Sequence, residues 1–356
     1  MGVRWGRFSF GDSVPALAKL IARSIVDADK ATPSTIKSEA DIRSRYRSHR
    51  YLQDLPLADL QKFGRDAFRN FMTINHELKV VPLDVDHPRH SYWRARLLHI
   101  HEEYAIRAGA HPRGFDEELV RSIKLPRQNS SGVRRARSSL DLSSLPRGKY
   151  LVKYGQKQYL SDALSTGRIK ISSASSYASY ENNDAIRDKE LEFTFNLFEP
   201  RAGLLAKYAR LPLNLDVDKC MKGTAFLKRS LRKDYYLYCL SASYDPRMFD
   251  DFDYDACLVI HDLEEFRNRL LHSVAEATHA KGWAFSPVTY VDPFSEPDPD
   301  LHHALRKHHR YAYQDEVRAA WQLPNESCND LSPIFVELGS LKNIAELVLV
   351  GDESAP

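Results

Sequence analysis

Apolar residues recur at helical spacing in the front of the chain and alternate with polar ones behind it. Residues 13–28 set Leu17, Leu20, Ile21 and Ile25 on one face of an amphipathic helix. A second helical pattern covers 56–79, with Leu57, Leu60, Phe63, Phe68 and Phe71 as its apolar positions, and a third covers 91–108 around Leu97, Leu98, Ile100 and Tyr104. From Lys149 onward short alternating runs predict strands at 150–154, 169–172, 192–197, 235–241, 256–261, 288–291, about 311–321, 334–338 and 345–350. Helices are expected at 158–165, closed by Gly167 as a C-cap, at 263–280, and in part of 202–234. Strands outnumber helices there without regular alternation, so the expected class is α+β, a mostly helical front followed by a mixed sheet.

Between Leu125 and Gly148 the text LPRQNSSGVRRARSSLDLSSLPRG has few large apolar residues and reads as a linker. The expected organisation is a helical domain over 1–124, a linker over 125–148, an α+β domain over 149–350 and a tail over 351–356. Charge sharpens this division. Residues 1–148 hold 26 basic and 17 acidic residues and the remainder 25 and 31, so a net charge of +3 hides a basic front and an acidic back. The basic residues cluster at Arg43, Arg45, Arg47 and Arg50, around Tyr46 and His49, and again at Arg134, Arg135 and Arg137. Arginines interleaved with aromatics suit phosphate contact and base stacking, which makes nucleic acid a candidate partner; the same run also suits a solvated helix face.

No apolar run reaches the ~18 residues of a membrane span and the first residues lack a secretory core, so a cytoplasmic protein without a membrane partner is expected. The four cysteines stand far apart, with no C-x-x-C pair. Glycine-rich nucleotide motifs are missing from the sequence. His99 and His101 form an H-x-H pair, but on a helix they diverge. His302, His303, His308 and His309, near Asp298 and Asp300, raise a metal-dependent hydrolase as an outside reading; no metal is expected.

The stretch Lys307–Trp321 carries the most chemistry. On a strand, Gln314, Glu316 and Arg318 would share one face. Such a row is either the solvated face of an edge strand or part of a site.

The order Tyr150-x-x-Lys153-Tyr154, Arg168-Ile-x-Ile-Ser172-Ser173, Asn183-Asp184 with Arg187-Asp188-x-Glu190, Cys239-Leu-Ser241, Val288-Thr-Tyr290 and Lys307…Tyr313-x-x-Glu316-x-Arg318 resembles a large bacterial family with a K-Y…S-S…N-D-P…C-x-S…Y-x-x-E-x-R pattern. Over residues 149–350 it is also similar to the ADP-ribosyltransferase superfamily. Ala185 replaces the proline of the N-D-P element. The resemblance implies an NAD-dependent mono-ADP-ribosyltransferase, a toxin or phage-defence effector acting on a nucleic acid or an associated protein. It implies Glu316 as the carboxylate that stabilises an oxocarbenium-like state and Gln314 as the group orienting the acceptor. Lys153, Tyr154, Ser172, Ser173 and Arg187 would bind NAD, with lysine standing where arginine or histidine is usual. The alternative is a non-catalytic nucleic-acid-binding protein on a degenerate transferase scaffold.

Overall fold

A computed structural model describes residues 38–108 (except 76 and 78), 142, 145–146, 148–179, 185, 190–198, 224–280 (except 232), 282–294 (except 293), 302–323 and 331–350. The helix expected at 13–28, most of the 125–148 linker with Arg134, Arg135 and Arg137, and Arg187 all lie outside them.

Helix α1 (Glu39–Ser48) starts at a capping box: Ser38 Oγ accepts the Asp41 N–H at 3.1 Å, and the Asp41 carboxylate accepts the Ser38 N–H at 3.2 Å. Helix α2 (Leu57–Phe71) follows Pro56 and buries Leu60, Phe63, Gly64, Ala67 and Asn70, the i, i+3, i+4 stripe of its apolar pattern. It is shorter than the pattern suggested. Met72 turns extended and opens a hairpin of β1 (Met72–Ile74) and β2 (Val80–Pro82), because Thr73, Ile74, Val80 and Val81 favour a strand once the helical stripe ends. Helix α3 (His90–Ala108) covers the third pattern.

Behind them lie β3 (Leu151–Gly155), α4 (Lys157–Thr166), β4 (Arg168–Ser173), β5 (Glu192–Phe198), β6 (Thr224–Ser230), β7 (Tyr236–Ser241), α5 (Arg247–Phe252), β8 (Ala256–Ile260) and α6 (Leu263–Thr278). Then come β9 (Gly282–Pro287), β10 (Thr289–Val291), β11 (Arg306–His308), β12 (Glu316–Gln322), β13 (Ile334–Glu337) and β14 (Ala345–Leu349). The class is α+β, as the pattern implied. Within 202–234, expected to be helical in part, residues 224–230 form strand β6, paired antiparallel with β5, and 202–223 lie outside the described residues.

Eight strands form one sheet in the order β13-β4-β7-β3-β8-β14, with β12 on β7 and β9 on β12. All its pairings are antiparallel rather than mixed; the parallel pair among the described strands, β10 with β11, stands apart. One face is closed by α4 and α6, whose Leu160, Phe266, Leu270 and Val274 meet Leu151, Leu258, Val317 and Trp321. Each such side chain contributes roughly 1.5–3 kcal/mol on full burial. Asp262 fixes the start of α6 by accepting the Glu265 N–H at 3.0 Å.

Strand β7 is the hub. Along one edge it pairs with β12 from Tyr236 to Ser241. Its other edge is divided, with β4 at Tyr236 and Leu237 and β3 at Ser241.

Candidate functional site

The division of the β7 edge leaves room for Lys153 beside Cys239. Cys239 lies between the two partner strands, and Lys153 Nζ donates to its carbonyl oxygen at 2.9 Å, with the ammonium 4.5 Å from the centroid of the Tyr238 ring. A side-chain donor here takes the role that a strand partner plays on either side. Burial pushes the Lys153 amine below its ordinary value, against the opposing pull of Cys239 and Glu316.

Register pairs Glu316 with Ser241 and Arg318 with Cys239, so these four share one face of the sheet. Glu316 is 5% exposed and Arg318 fully buried. Arg318 Nε donates to Glu316 Oε1 at 2.5 Å, and Lys307 Nζ donates to Glu316 Oε2. On its far side Arg318 clasps Glu190 through two bonds, one of them 2.7 Å, and also donates to the carbonyl oxygens of Ala304 (3.0 Å) and Arg306 (3.2 Å). Lys307, Glu316, Arg318 and Glu190 thus form one alternating chain of charges. Burial would raise the Glu316 carboxyl, but Arg318 and Lys307 outweigh it and hold the group near 2. Tyr290 OH accepts the Glu316 N–H at 2.8 Å. The polar row is therefore no solvated edge, because β12 is flanked on both sides, by β7 and β9.

Gln314 differs from expectation. Strand β12 begins at Glu316, while Gln314 ends a 3₁₀ helix, His309–Gln314, and Asp315 between them is left-handed with φ 48°. The reversal turns Gln314 off the strand face, where its Nε2 donates to the Ala185 carbonyl at 2.8 Å. The run of bulky aromatics suggested a strand; the turn chemistry at Asp315 won.

Ser172 and Ser173 alternate, with Ser172 opposite Leu237 and Ser173 opposite Tyr236. Leu237 shares the Cys239 face, so Ser172 lies on the Glu316 side and Ser173 on the other. The Ser173 hydroxyl is 3.2 Å from Ser175 Oγ, which donates to Asp234 at 2.5 Å, and so braces the turn after β4 rather than the glutamate. Tyr154 is buried, and its hydroxyl accepts the Asp245 N–H at 2.8 Å. Near the centre, Tyr177 OH lies 3.7 Å from Cys239 Sγ, and burial pushes that thiol up to about 12.

Three arginines of the basic cluster at the front are paired with acidic residues, while Arg45 and Arg47 remain exposed. Arg43 bonds Glu39 (2.7 Å) and Glu102 (3.0 Å), Arg47 bonds Glu102 (2.5 Å), and Arg50 bonds Glu103 (2.9 Å). The acidic partners flank the H-x-H pair on α3, where His99 Nδ1 lies 3.0 Å from Tyr51 OH. His302 and His303 lie apart from His308 and His309 in function: His302 Nδ1 accepts the Ala304 N–H at 3.2 Å, and His303 meets the Tyr235 ring. Asp298 and Asp300 lie outside the described residues.

Glu190 and Lys307 received no role from the sequence reading, although both stand in the pattern quoted above. Glu190 meets Arg318 across 128 residues and Lys307 meets Glu316 across nine, separations that no local rule reads; the available signal was their charge within the quoted order of residues. No helix among the described residues is long and apolar enough to cross a membrane. Comparison with family models, with curated proteins and with solved structures found no match for the chain.

Proposed function

We propose that the chain is an NAD-consuming enzyme of the mono-ADP-ribosyltransferase kind, with Glu316 as its carboxylate. One observation carries this reading. The strands bearing Lys153, Ser172 and Glu316 all pair with β7, and the register sets Ser172 and Glu316, 144 positions apart, on one of its faces, while Lys153 reaches the Cys239 carbonyl from the opposite face.

Breaking the nicotinamide–ribose bond develops positive charge on the ribose, which a fixed carboxylate stabilises. Glu316 is held as a carboxylate by Arg318 and Lys307, and each of its oxygens accepts one of these cations. A carboxylate has about four acceptor sites, so each oxygen keeps one for a ribose hydroxyl. Lys307 supplies a cationic contact for the pyrophosphate, Ser172 adds a hydroxyl on the Glu316 side, and Lys153 acts from the opposite face by holding the Cys239 carbonyl. In this geometry Gln314 holds the Ala185 carbonyl rather than an acceptor.

The test is NAD turnover and transfer of label from radiolabelled NAD in a lysate, comparing wild type with Glu316→Gln and Lys153→Ala. Glutamine keeps the volume and one acceptor oxygen, and circular dichroism verifies that the variants fold. Labelling by wild type that Glu316→Gln abolishes supports the reading, and nuclease treatment then distinguishes a nucleic-acid acceptor from a protein. A folded wild type that neither consumes NAD nor transfers label overturns it.

A further inference from the structure

At the start of the 309–314 helix, three metal-ligating side chains converge from two distant parts of the chain. Asp66 of α2, His308 at the end of β11 and His309 each present one ligand atom, and these atoms lie within 4.8 Å of one another. His309 is 2% exposed; its Nδ1 faces the Asp292 carboxylate, and its Nε2 has no hydrogen-bond partner among the described residues. An imidazole nitrogen left unpaired in a core is costly, so its placement needs a reason.

Its surroundings fix its orientation. The ring stacks on Phe63 (5.3 Å, 20°) and meets Trp93 edge-on (5.6 Å, 74°). Nδ1 lies 3.7 Å from Asp292 Oδ1, a charge–dipole contact that favours the proton on Nδ1 and leaves the lone pair on Nε2. Asp292 is itself anchored by Arg96 and by Tyr92 OH (2.7 Å). A carboxylate behind a histidine is the arrangement that orients imidazole toward a metal.

We propose that Asp66, His308 and His309 bind one divalent transition-metal ion, with zinc as the closest fit to two imidazoles and a carboxylate. Tetrahedral bonds of about 2.0–2.2 Å place ligand atoms roughly 3.4 Å apart. His308 is exposed and can swing inward to close the difference. In doing so it gives up the Arg310 N–H that its Nδ1 accepts at 3.2 Å. Lys62 and Arg310 stand close enough to act on Asp66 and His308, and they oppose a cation, so the site binds less tightly than a closed four-ligand zinc site. Three protein ligands leave a position for water. The ion would clasp α2 to the helix that leads into Glu316, and it is independent of any NAD chemistry there.

The experiment titrates the full chain, stripped by chelator, with Zn²⁺, and repeats the titration with Co²⁺ to read its visible absorption. Wild type is expected to take one equivalent and to gain thermal stability. His308→Ala, at an exposed position that tolerates truncation, and Asp66→Asn should each weaken binding by at least about 10-fold. Lys62→Ala should tighten it by roughly two- to five-fold, through loss of an exposed opposing charge. No stoichiometric uptake by wild type, or uptake that both ligand variants leave unchanged, overturns the proposal and leaves His309 as a core imidazole.

Discussion

Glu316 shows how one residue can be both structural and chemical. Its two oxygens neutralise Lys307 and Arg318, both of which are buried. Removing it leaves two buried charges with one remaining partner, Glu190. Breaking a buried pair in this way costs about 3–5 kcal/mol, so Glu316→Ala is expected to lower the urea unfolding free energy by that amount. The pH dependence has a definite sign. Arg318 and Lys307 overcome burial and hold the carboxyl near 2, below its unfolded value of about 4.3. Its contribution is therefore complete above the unfolded value and is lost as pH falls from roughly 5 toward 2. Unfolding midpoints measured across that window should fall more steeply for wild type than for Glu316→Gln; parallel curves would contradict the ion pairing. Cys239 and Cys257 give a second residue-scale expectation. Burial pushes both thiols up to about 12, so little thiolate exists at pH 8. Peptide mapping should find both unmodified after iodoacetamide treatment of the folded chain and modified after treatment in urea.

Elements were legible in the sequence wherever one local rule decided them. Short runs of strand-forming residues identified β3, β4, β7 and β8, and Gly167 marked the end of α4, which it closes in a left-handed conformation with φ 79°. What the sequence withheld is what Gly167 touches. A Cβ built there would sit 2.1 Å from the Gly339 carbonyl oxygen, and the Leu338 N–H donates to the Gly167 carbonyl at 3.0 Å. One glycine thus ends a helix and seats the turn after β13. Gly167→Ala is expected to cost more than the ~1 kcal/mol of a left-handed alanine, because the neighbour that must yield is backbone. A urea titration showing a smaller loss would mean that the two turns are not held together. The misreadings have the same origin. The aromatic neighbours of Gln314 predict a strand, and the stripe continuing through 72–79 predicts a helix; in both, a local reversal or a hairpin partner outweighs the pattern. The candidate site was half legible for a related reason. Residue types in order suggested Glu316 and Lys153, whereas burial and the partner of each charge depend on strands that meet only in the folded chain.

At the scale of the molecule, the basic front and acidic back are joined by buried polar contacts that no charge count reveals. Arg247 at the start of α5 is 1% exposed and donates to the carbonyl oxygens of Arg69 (2.8 Å) and Met72 (3.0 Å) at the end of α2. Its guanidinium also lies 3.7 Å from the Tyr313 ring centroid and bonds Asp251, which Arg69 bonds at 2.9 Å from the other side. Asn70 extends the joint: its Oδ1 accepts the Tyr313 N–H and its Nδ2 donates to the Arg310 carbonyl. Ala312, Tyr290 and Phe294 complete the apolar core of the front helices, which therefore lacks part of its lining without the back. Such a shared core should unfold as one unit. Amides of α3 and of β12 are expected to exchange hydrogen with the same opening free energy in wild type. Arg247→Ala removes donors from two buried carbonyls and leaves Asp251 with one cation, a loss of about 3–5 kcal/mol concentrated at the joint. In that variant α3 should exchange through a lower-energy opening while β12 keeps a higher one. If both still open together at a reduced energy, Arg247 adds stability without being the coupling, and the shared apolar lining around Ala312 alone makes the two halves cooperative.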